Sequence, residues 1–528
     1  MKIFKQTKSA LLLLTALSGI VLCSFLSLKK TETANPRPNI IIIMADDMGF
    51  SDIGCYGSEI STPNIDKLAV NGIKLRSFYN AGRCCPTRAS LLTGNYSHAV
   101  GMGGMVSFED EKVEKGSYQG YLDPSVPTIA ERLHAAGYNT YMTGKWHVGE
   151  RPEHWPLKRG FDKYFGLISG ASSYFEVLKE KRKRFMVLND QEYVLPTEGY
   201  YATDAFTNKA IEFINQADKK ANPFFLYLAY TAPHFPLHAY EEDIAKYEKF
   251  YLQGWDVTRE NRFKKMQKLG LLDKRYALTT RPNNIPAWNS VQDKATWARK
   301  MAVYAAMIDR MDRNIGKLIK NLEDTKQLDN TFIVFLSDNG GCDENVDDRK
   351  LGLPTKRIGE RGSYGTYDYQ WANVSNTPFK LYKKFTHEGG IISPCIMHWP
   401  AKIKPKKGYM DAPSHVIDLL PTSLDLAQAP AATNIHGQSL SYLWTGKKAN
   451  PRTLYWEHQG NEAIRTGNFK LVKEADEADW ALYDLETDPS ENKNIAQQSE
   501  KKVAEMSIDF DVWAKKVGVK QSKKKVKE

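Results

Sequence analysis

Residues Asn39–Met44 read NIIIIM, and the Ala45-Asp46-Asp47 that follows ends the run abruptly. A short β-branched stretch with no polar alternation fits a strand buried on both faces, as strands of parallel sheets are. The same grammar recurs at Thr331–Leu336 (TFIVFL), followed by Ser337-Asp338-Asn339-Gly340, and at Pro223–Ala229 (PFFLYLA), followed by Pro233-His234. Helical patterns lie between these runs. VPTIAERLHAAG at 126–137 has apolar spacing of period 3.6 and a terminal Gly137, and it leads into the strand-like NTYM at 139–142. ATWARKMAVYAAMIDRMDRNIGKLIKNLE at 295–323 reads as one long helix before TFIVFL. Strands alternating with helices predict an α/β fold: a large mixed, mostly parallel sheet sandwiched by helices.

This large domain is expected over residues 37–430, ending near the helix-like HVIDLLPTSLDLA at 415–427. Beyond the AQAPAATN break, RTLYWEHQGNEAIRTGNFKLVKE alternates about the turn residues Gln459-Gly460-Asn461 and Thr466-Gly467-Asn468, which predicts hairpins. With a final helix from about Glu500 to Val517, they make a small C-terminal antiparallel sheet plus helix subdomain over 431–520, followed by a basic tail at 521–528. Residues 240–294, polar and Lys-rich, read as an inserted surface segment with some helix.

The 528 residues, 42% hydrophobic and 26% charged, suit a globular protein with a full core and exclude disordered or polytopic membrane classes. The net charge of +11 invites a nucleic-acid reading until it is located. Residues 1–30 hold five Lys and no acid, and residues 511–528 hold seven Lys against Asp511 and Glu528, so the body is almost balanced. A phosphate-backbone binder needs a basic face on its folded part, and no nucleic-acid partner is expected. Lys2, Lys5 and Lys8, the uncharged run Ala10–Leu28, then Lys29 and Lys30 have the layout of an export signal or of an uncleaved N-terminal anchor. An exported protein, periplasmic or extracellular, is expected, with no other membrane contact. Six cysteines without a CxxC pair do not make a disulfide scaffold.

Four of the predicted strands end in polar clusters: Asp46-Asp47, Lys145-Trp146-His147, His234 and Asp338-Asn339. Ligands of open α/β sheets bind at the carboxyl ends of the strands, so parallel strands bring these clusters to one site. Asp46, Asp47, Asp338 and Asn339 offer only oxygen, which favours Ca²⁺ or Mg²⁺ over zinc. The spaced pair His234 and His238 has Pro236 between them, which denies the helical geometry of a zinc HExxH motif. In GRCCPTRASLLTG at 82–94, a helix opens with Pro86 in its first turn. That places Cys84 at the positive end of a helix dipole, where a nucleophile is activated, and Arg88 one turn on, where it can grip a tetrahedral oxyanion. The alternative for Cys84 and Cys85 is a plain buried cysteine pair.

CCPTR at 84–88 resembles the C-x-P-S/A/T-R signature of the type I sulfatases, with the usual ASLLTG continuation. Supporting motifs follow in that family's order: ADDMG at 45–49, TGKWHVG at 143–149, APHFPLHA at 232–239, SDNGG at 337–341 and NTPFKLYKKFTHEGG at 376–390. The likeness spans about 37–520 and implies an alkaline phosphatase-like fold. It implies further that Cys84 is oxidised to formylglycine by a formylglycine-generating maturation enzyme, and that the hydrated aldehyde is the nucleophile. Asp46, Asp47, Asp338, Asn339 and the modified Cys84 would ligate one Ca²⁺, while Arg88, Lys145 and Lys383 would neutralise the sulfate oxygens. Lys383 is preferred to Lys384 because family spacing sets the lysine five residues before Glu388. His234 would protonate the leaving alcohol and His147 would act as base on the diol. Thr87 stands where Ser or Ala is commoner, leaving the cysteine, proline and arginine intact. The expected substrate is a sulfated saccharide, attacked from its end, or an aryl sulfate. Aromatic-rich SGASSYFE at 169–176 and GSYGTYDYQWANVSN at 362–376 are candidate sugar platforms. Two rivals remain: a phosphoester hydrolase of the same superfamily, which would use Ser or Thr and two metals, and a non-catalytic binder of sulfated glycan.

Overall fold

The computed structural model describes residues 37–107, 114–177, 184–216, 222–351, 353, 355–448 and 450–520. The export segment at 1–30 and the basic tail at 521–528 lie outside the described residues. Among the described residues no helix is long and apolar enough to cross a membrane.

Ten strands form the main sheet: β1 (Asn39–Ala45), β2 (Ile73–Tyr79), β3 (Asn139–Gly144), β4 (Lys163–Leu167), β5 (Met186–Leu188), β6 (Gln191–Glu192), β7 (Phe224–Ala229), β8 (Thr331–Ser337), β9 (Ile392–His398) and β10 (Ser414–His415). Their order is β10-β2-β9-β8-β1-β7-β3-β4-β5-β6. The central block β8-β1-β7-β3-β4 is parallel, and β9 and β5 run antiparallel on its two sides. The unbroken apolar runs are explained by burial on both faces. Ile40, Ile42 and Met44 of β1 enter one core with Phe332, Val334 and Leu336 of β8 and Phe225 and Tyr227 of β7. Ile41 and Ile43 enter the opposite core with Ile333, Phe335, Leu226 and Leu228.

Helices cover each face. Cys84–Thr93, Ile129–Ala135 and Leu419–Leu426 fill the first core through Leu91, Leu92, Ile129, Leu133, Leu420 and Leu424. Helix Ile129–Ala135 starts at a capping box in which Thr128 and Glu131 satisfy each other's backbone donors. Pro63–Val70, Ala202–Gln216 and the 31-residue helix Lys294–Asp324 fill the second.

The second sheet is antiparallel, β11 (Thr453–His458), β12 (Asn461–Thr466), β13 (Phe469–Lys473) and β14 (Ala481–Asp484) in that order. Gln459 and Gly460 both carry positive φ, the signature of the two-residue turn that suits strand twist. One face, through Ile464, Leu471 and Leu482, holds Phe510 and Trp513 of helix Glu500–Val517. The other face, through Leu454, Trp456, Ala463 and Val472, joins the core of the main sheet. A buried ion triad stitches the two parts together: Lys470 Nζ lies 2.7 Å from Glu388 Oε1 and 2.8 Å from Glu491 Oε1.

Residues 240–294 carry the expected helix, Gly254–Lys268, and many exposed positions, but the segment is also anchored in the core. Tyr251, Trp255, Met266 and Leu271 are buried, and Arg262, on that helix, is 1% exposed with its guanidinium bonded to Asp52 and to Glu59, the latter at 2.8 and 2.9 Å. A charge counted as polar in sequence is here a core residue because two carboxylates neutralise it.

Candidate active site

The parallel strands run on into their tips, so the site's backbone is held by the sheet's own ladder. Asp46 N–H donates to Ala232 O at 3.0 Å, Lys145 N–H to Ala229 O at 2.8 Å, and Asp338 N–H to Ala45 O at 3.1 Å. Asp47 and His147 then turn through positive φ of 64° and 57°, a strained geometry that functional sites retain. Gly144 is obligatory, since a Cβ there would lie 1.8 Å from Ala229 O and its φ is 105°.

At this edge three buried carboxylates face three buried cations. Lys145 Nζ donates to Asp46 Oδ2 at 2.7 Å, Lys383 Nζ to Asp47 Oδ2 at 2.8 Å, and Arg88 Nη2 to Asp338 Oδ2 at 2.8 Å. Arg88 also donates to Lys145 O at 3.0 Å. Asp338 Oδ1 accepts from Asp47 N–H at 3.1 Å, and Asn339 Nδ2 donates to Asp47 Oδ1 at 2.7 Å. His234 Nε2 lies 3.4 Å from Asp47 Oδ2. Lys383 is delivered by a loop in which its N–H donates to Gly341 O, and Asn376 braces that loop by accepting from Gly341 N–H at 2.8 Å and donating to Leu381 O at 2.9 Å. Lys384 points elsewhere, 3.5 Å from Asp343 and a third exposed.

Cys84 is the first residue of helix Cys84–Thr93, all ten of whose residues are buried. A hydrogen bond from Cys85 holds its thiol well below the usual thiol range against burial, with Lys145, His147 and Lys383 helping. The Cys84 and Cys85 sulfurs and a His147 ring nitrogen lie within 4.8 Å of one another. Burial, reinforced by Lys145, lowers His147 to about 3. Burial, reinforced by Lys383 and Lys145, lowers His234 to about 4 although Asp47 opposes it. Both imidazoles are therefore neutral near pH 7.

The acids diverge according to their neighbours. Burial and the adjacent Asp46 push Asp338 up to about 8, and burial raises Asp46 in spite of Lys145 and Arg88. Burial acts on Asp47 too, but Lys383 and His234 outweigh it and hold that carboxyl below its ordinary value. Asp46 Oδ1 and Asn339 Oδ1 are buried and accept no hydrogen bond. Orphaned oxygens among acids driven toward protonation fit a hard dication, which would restore their charge and use those lone pairs.

The ten residues singled out in the sequence thus form one cluster. His98 and His387 do not reach it: they face Glu457 at 2.6 Å and Glu474 at 3.8 Å. His154 stacks on Tyr121 and His134 faces Asp162. The aromatic segments are mostly core and not sugar platforms. Tyr174, Phe175, Tyr367 and Trp371 are buried, and Tyr367 stacks on Tyr304 at 4.3 Å. Three of these rings approach the site: Tyr174 OH donates to His234 O at 2.9 Å, Tyr367 lines a small cavity with Asp47 and His234, and Tyr364 lies edge-on to Phe235 at 6.1 Å, where Phe235 stacks on His234 at 4.3 Å. Sequence reasoning missed Asn376, which sat in a quoted motif without a role. It also missed Gly170, where a Cβ would lie 2.3 Å from the His147 imidazole.

Fold and site together place a cluster of paired carboxylates and cations, with two histidines and a buried cysteine, at the carboxyl edge of a parallel sheet. Residues 38–429 match the Sulfatase family, and residues 379–516 match the family described as N-sulphoglucosamine sulphohydrolase, C-terminal. The chain belongs to the sulfatase family and is a sulfuric ester hydrolase. An uncharacterized sulfatase of Schizosaccharomyces pombe is 35% identical over 516 residues, covering 88% of this chain and 91% of the relative. An arylsulfatase of Klebsiella aerogenes is 35% identical over 407 residues, covering 74% and 87%. The crystal structure of Ps i-CgsB in complex with k-i-k-neocarrahexaose is 29% identical with a TM-score of 0.68, covering 90% of this chain and 93% of that one.

Proposed function

We propose that the chain is an exported, Ca²⁺-dependent sulfatase that removes sulfate from the end of a sulfated saccharide, with Cys84 converted to formylglycine by a maturation enzyme of the formylglycine-generating class. The observation that carries this reading is the meeting of Cys84 with Arg88, Lys145 and Lys383 beside the cluster of Asp46, Asp47, Asp338 and Asn339.

With Ca²⁺ on those four oxygen-bearing residues and an aldehyde at position 84, the site gains a polarised sulfate oxygen and a hydrated-aldehyde nucleophile. The chain's own residues supply the rest. Arg88, Lys145 and Lys383, fixed by their carboxylate partners, balance the sulfate oxygens without reorganising. His234 Nδ1 donates to Phe235 O at 2.5 Å, so Nε2, the nitrogen facing Asp47, carries a proton for the leaving oxygen only once the ring is protonated. It is neutral at rest, and an anionic ester beside it raises its proton affinity. His147, neutral and with an Nδ1 that makes no hydrogen bond, accepts a proton next to position 84.

Cys84 is 2% exposed and His234 8%. So narrow a cup favours a terminal group over the middle of a polymer. The saccharide complex of a structural neighbour supports a sugar, while the name of the Klebsiella relative keeps aryl esters in the test. Export rests on the layout of residues 1–30.

Mass spectrometry of the peptide spanning residues 77–95 from the native host should show formylglycine at position 84. An unaltered thiol there would favour the glycan-binder alternative and sink the enzymatic mechanism. Converted protein should release sulfate from defined sulfated mono- and oligosaccharides in a Ca²⁺-dependent manner. Release from aryl sulfates and from none of the sugars would overturn the saccharide assignment.

A further inference from the structure

Cys85 takes no part in the chemistry proposed above, yet it is fully buried and its sulfur belongs to the three-donor cluster with Cys84 and His147. This cluster differs in kind from the carboxylate set beside it. Two sulfurs and an imidazole nitrogen are the soft to borderline donors that select thiophilic ions, whereas Asp46, Asp47, Asp338 and Asn339 are hard oxygen donors. The third donor is also ready: His147 Nδ1 is buried without a hydrogen bond, and Gly170 leaves no slack on one side of the ring.

We propose that the chain whose Cys84 is still a thiol carries a second metal site, in which Cys84, Cys85 and His147 bind one thiophilic dication such as Zn²⁺. Binding forms two metal–sulfur bonds, displaces to solvent the proton that Cys85 shares with Cys84 and uses the imidazole as a neutral donor. The resulting unit of one dication and two thiolates has no net charge, so it introduces no repulsion with Lys145, Arg88 or Lys383. Tetrahedral zinc with Zn–S of about 2.3 Å sets its sulfurs about 3.8 Å apart. Donor atoms already within 4.8 Å of one another therefore need to draw in by about 1 Å at most. Three protein donors leave a fourth position for water.

The site exists only while both sulfurs do. A chain converted at Cys84 keeps one thiol and one imidazole, too few donors for a closed site, so zinc occupancy marks the unconverted fraction. The zinc site itself does not depend on the sulfatase reading: a converted enzyme inactive on every sulfate ester would leave it standing.

The test uses the full chain made without a maturation enzyme, with the Cys84 thiol verified by mass and Ca²⁺ in excess to fill the oxygen site. After one equivalent of Zn²⁺ and desalting, elemental analysis should find one zinc per chain. Cys84→Ser and Cys85→Ser should each weaken binding at least about tenfold, and Cys342→Ser, a buried thiol outside the cluster, should not. Circular dichroism of each variant checks the fold. Zinc absent from the wild-type chain, or bound as tightly by Cys85→Ser, overturns the proposal. Should the serine variants fail to fold, Co²⁺ in the wild-type chain decides: thiolate-to-cobalt charge-transfer bands support the site, and their absence overturns it.

Discussion

Replacing Lys383 by methionine keeps most of the side-chain volume and removes one charge from the cup. The ammonium lies 2.8 Å from Asp47 Oδ2, and both side chains are 2% exposed. At an effective dielectric of ~20 the Coulomb attraction at that distance is about 6 kcal/mol. Desolvation of both ions offsets part of it, and breaking such a buried pair from one side costs about 3–5 kcal/mol. Asp47 keeps Asn339, His234 and the field of Lys145, and under the proposed mechanism the sulfate loses one of three cations, a change of roughly 10²–10³ in kcat for a preorganised electrostatic contact. Lys384→Met is the internal control, because its pair with Asp343 at 3.5 Å is partly solvated and worth about 1 kcal/mol or less. Urea denaturation and sulfate-release kinetics on the two variants, made in converted protein, give the comparison. Equal losses in both variants, or a Lys383→Met enzyme that turns over like wild type, would refute the role proposed for Lys383.

Gly170→Ala should push the His147 ring out of position and lower kcat by about 10²-fold, the cost of a misplacement near 1 Å, while sulfate-independent Ca²⁺ binding stays intact. His238 is buried against Ser363 O at 2.7 Å and lowered by burial to about 4 from 6.5. A depressed histidine contributes stability that is whole above pH 6.5 and is lost as pH falls toward 4. Between pH 6.5 and 5 this group alone should account for about 2 kcal/mol of lost unfolding free energy, and His238→Gln should flatten denaturation midpoints over that window. Arg262→Met should destabilise by about 3–5 kcal/mol, because Asp52 is left buried and Glu59 half-buried without a cation. A change under about 0.5 kcal/mol, typical of a surface substitution, would return residues 254–268 to the periphery.

The strand tips were legible because their signal is local: an apolar run that stops at carboxylates or at Lys-Trp-His states both the strand and its polar end. The parallel arrangement followed from the alternation of β and α segments, and convergence followed from the arrangement. Choosing Lys383 over its neighbour needed the spacing of a family motif, since adjacent lysines in a loop are indistinguishable by composition. Gly170 and Asn376 were not legible, because the first matters only for what it lies against and the second only for the two backbone groups it bridges. The aromatic segments misled because a tyrosine destined for a core and one destined for a sugar look alike until neighbours are known. Arg262 misled for the opposite reason, its charge concealing a buried position that Asp52 and Glu59 make tolerable.

The Glu388–Lys470–Glu491 triad binds the end of the Lys383-bearing loop to the second sheet, with Tyr79 OH donating to Glu388 Oε2 at 2.9 Å and Glu388 N–H donating to Glu491 Oε2 at 2.8 Å. The C-terminal sheet is therefore a buttress for the Lys383 loop and not an appendage. A chain ending near residue 430 would keep every member of the carboxylate and cation cluster while surrendering the guy-rope that keeps one of them taut.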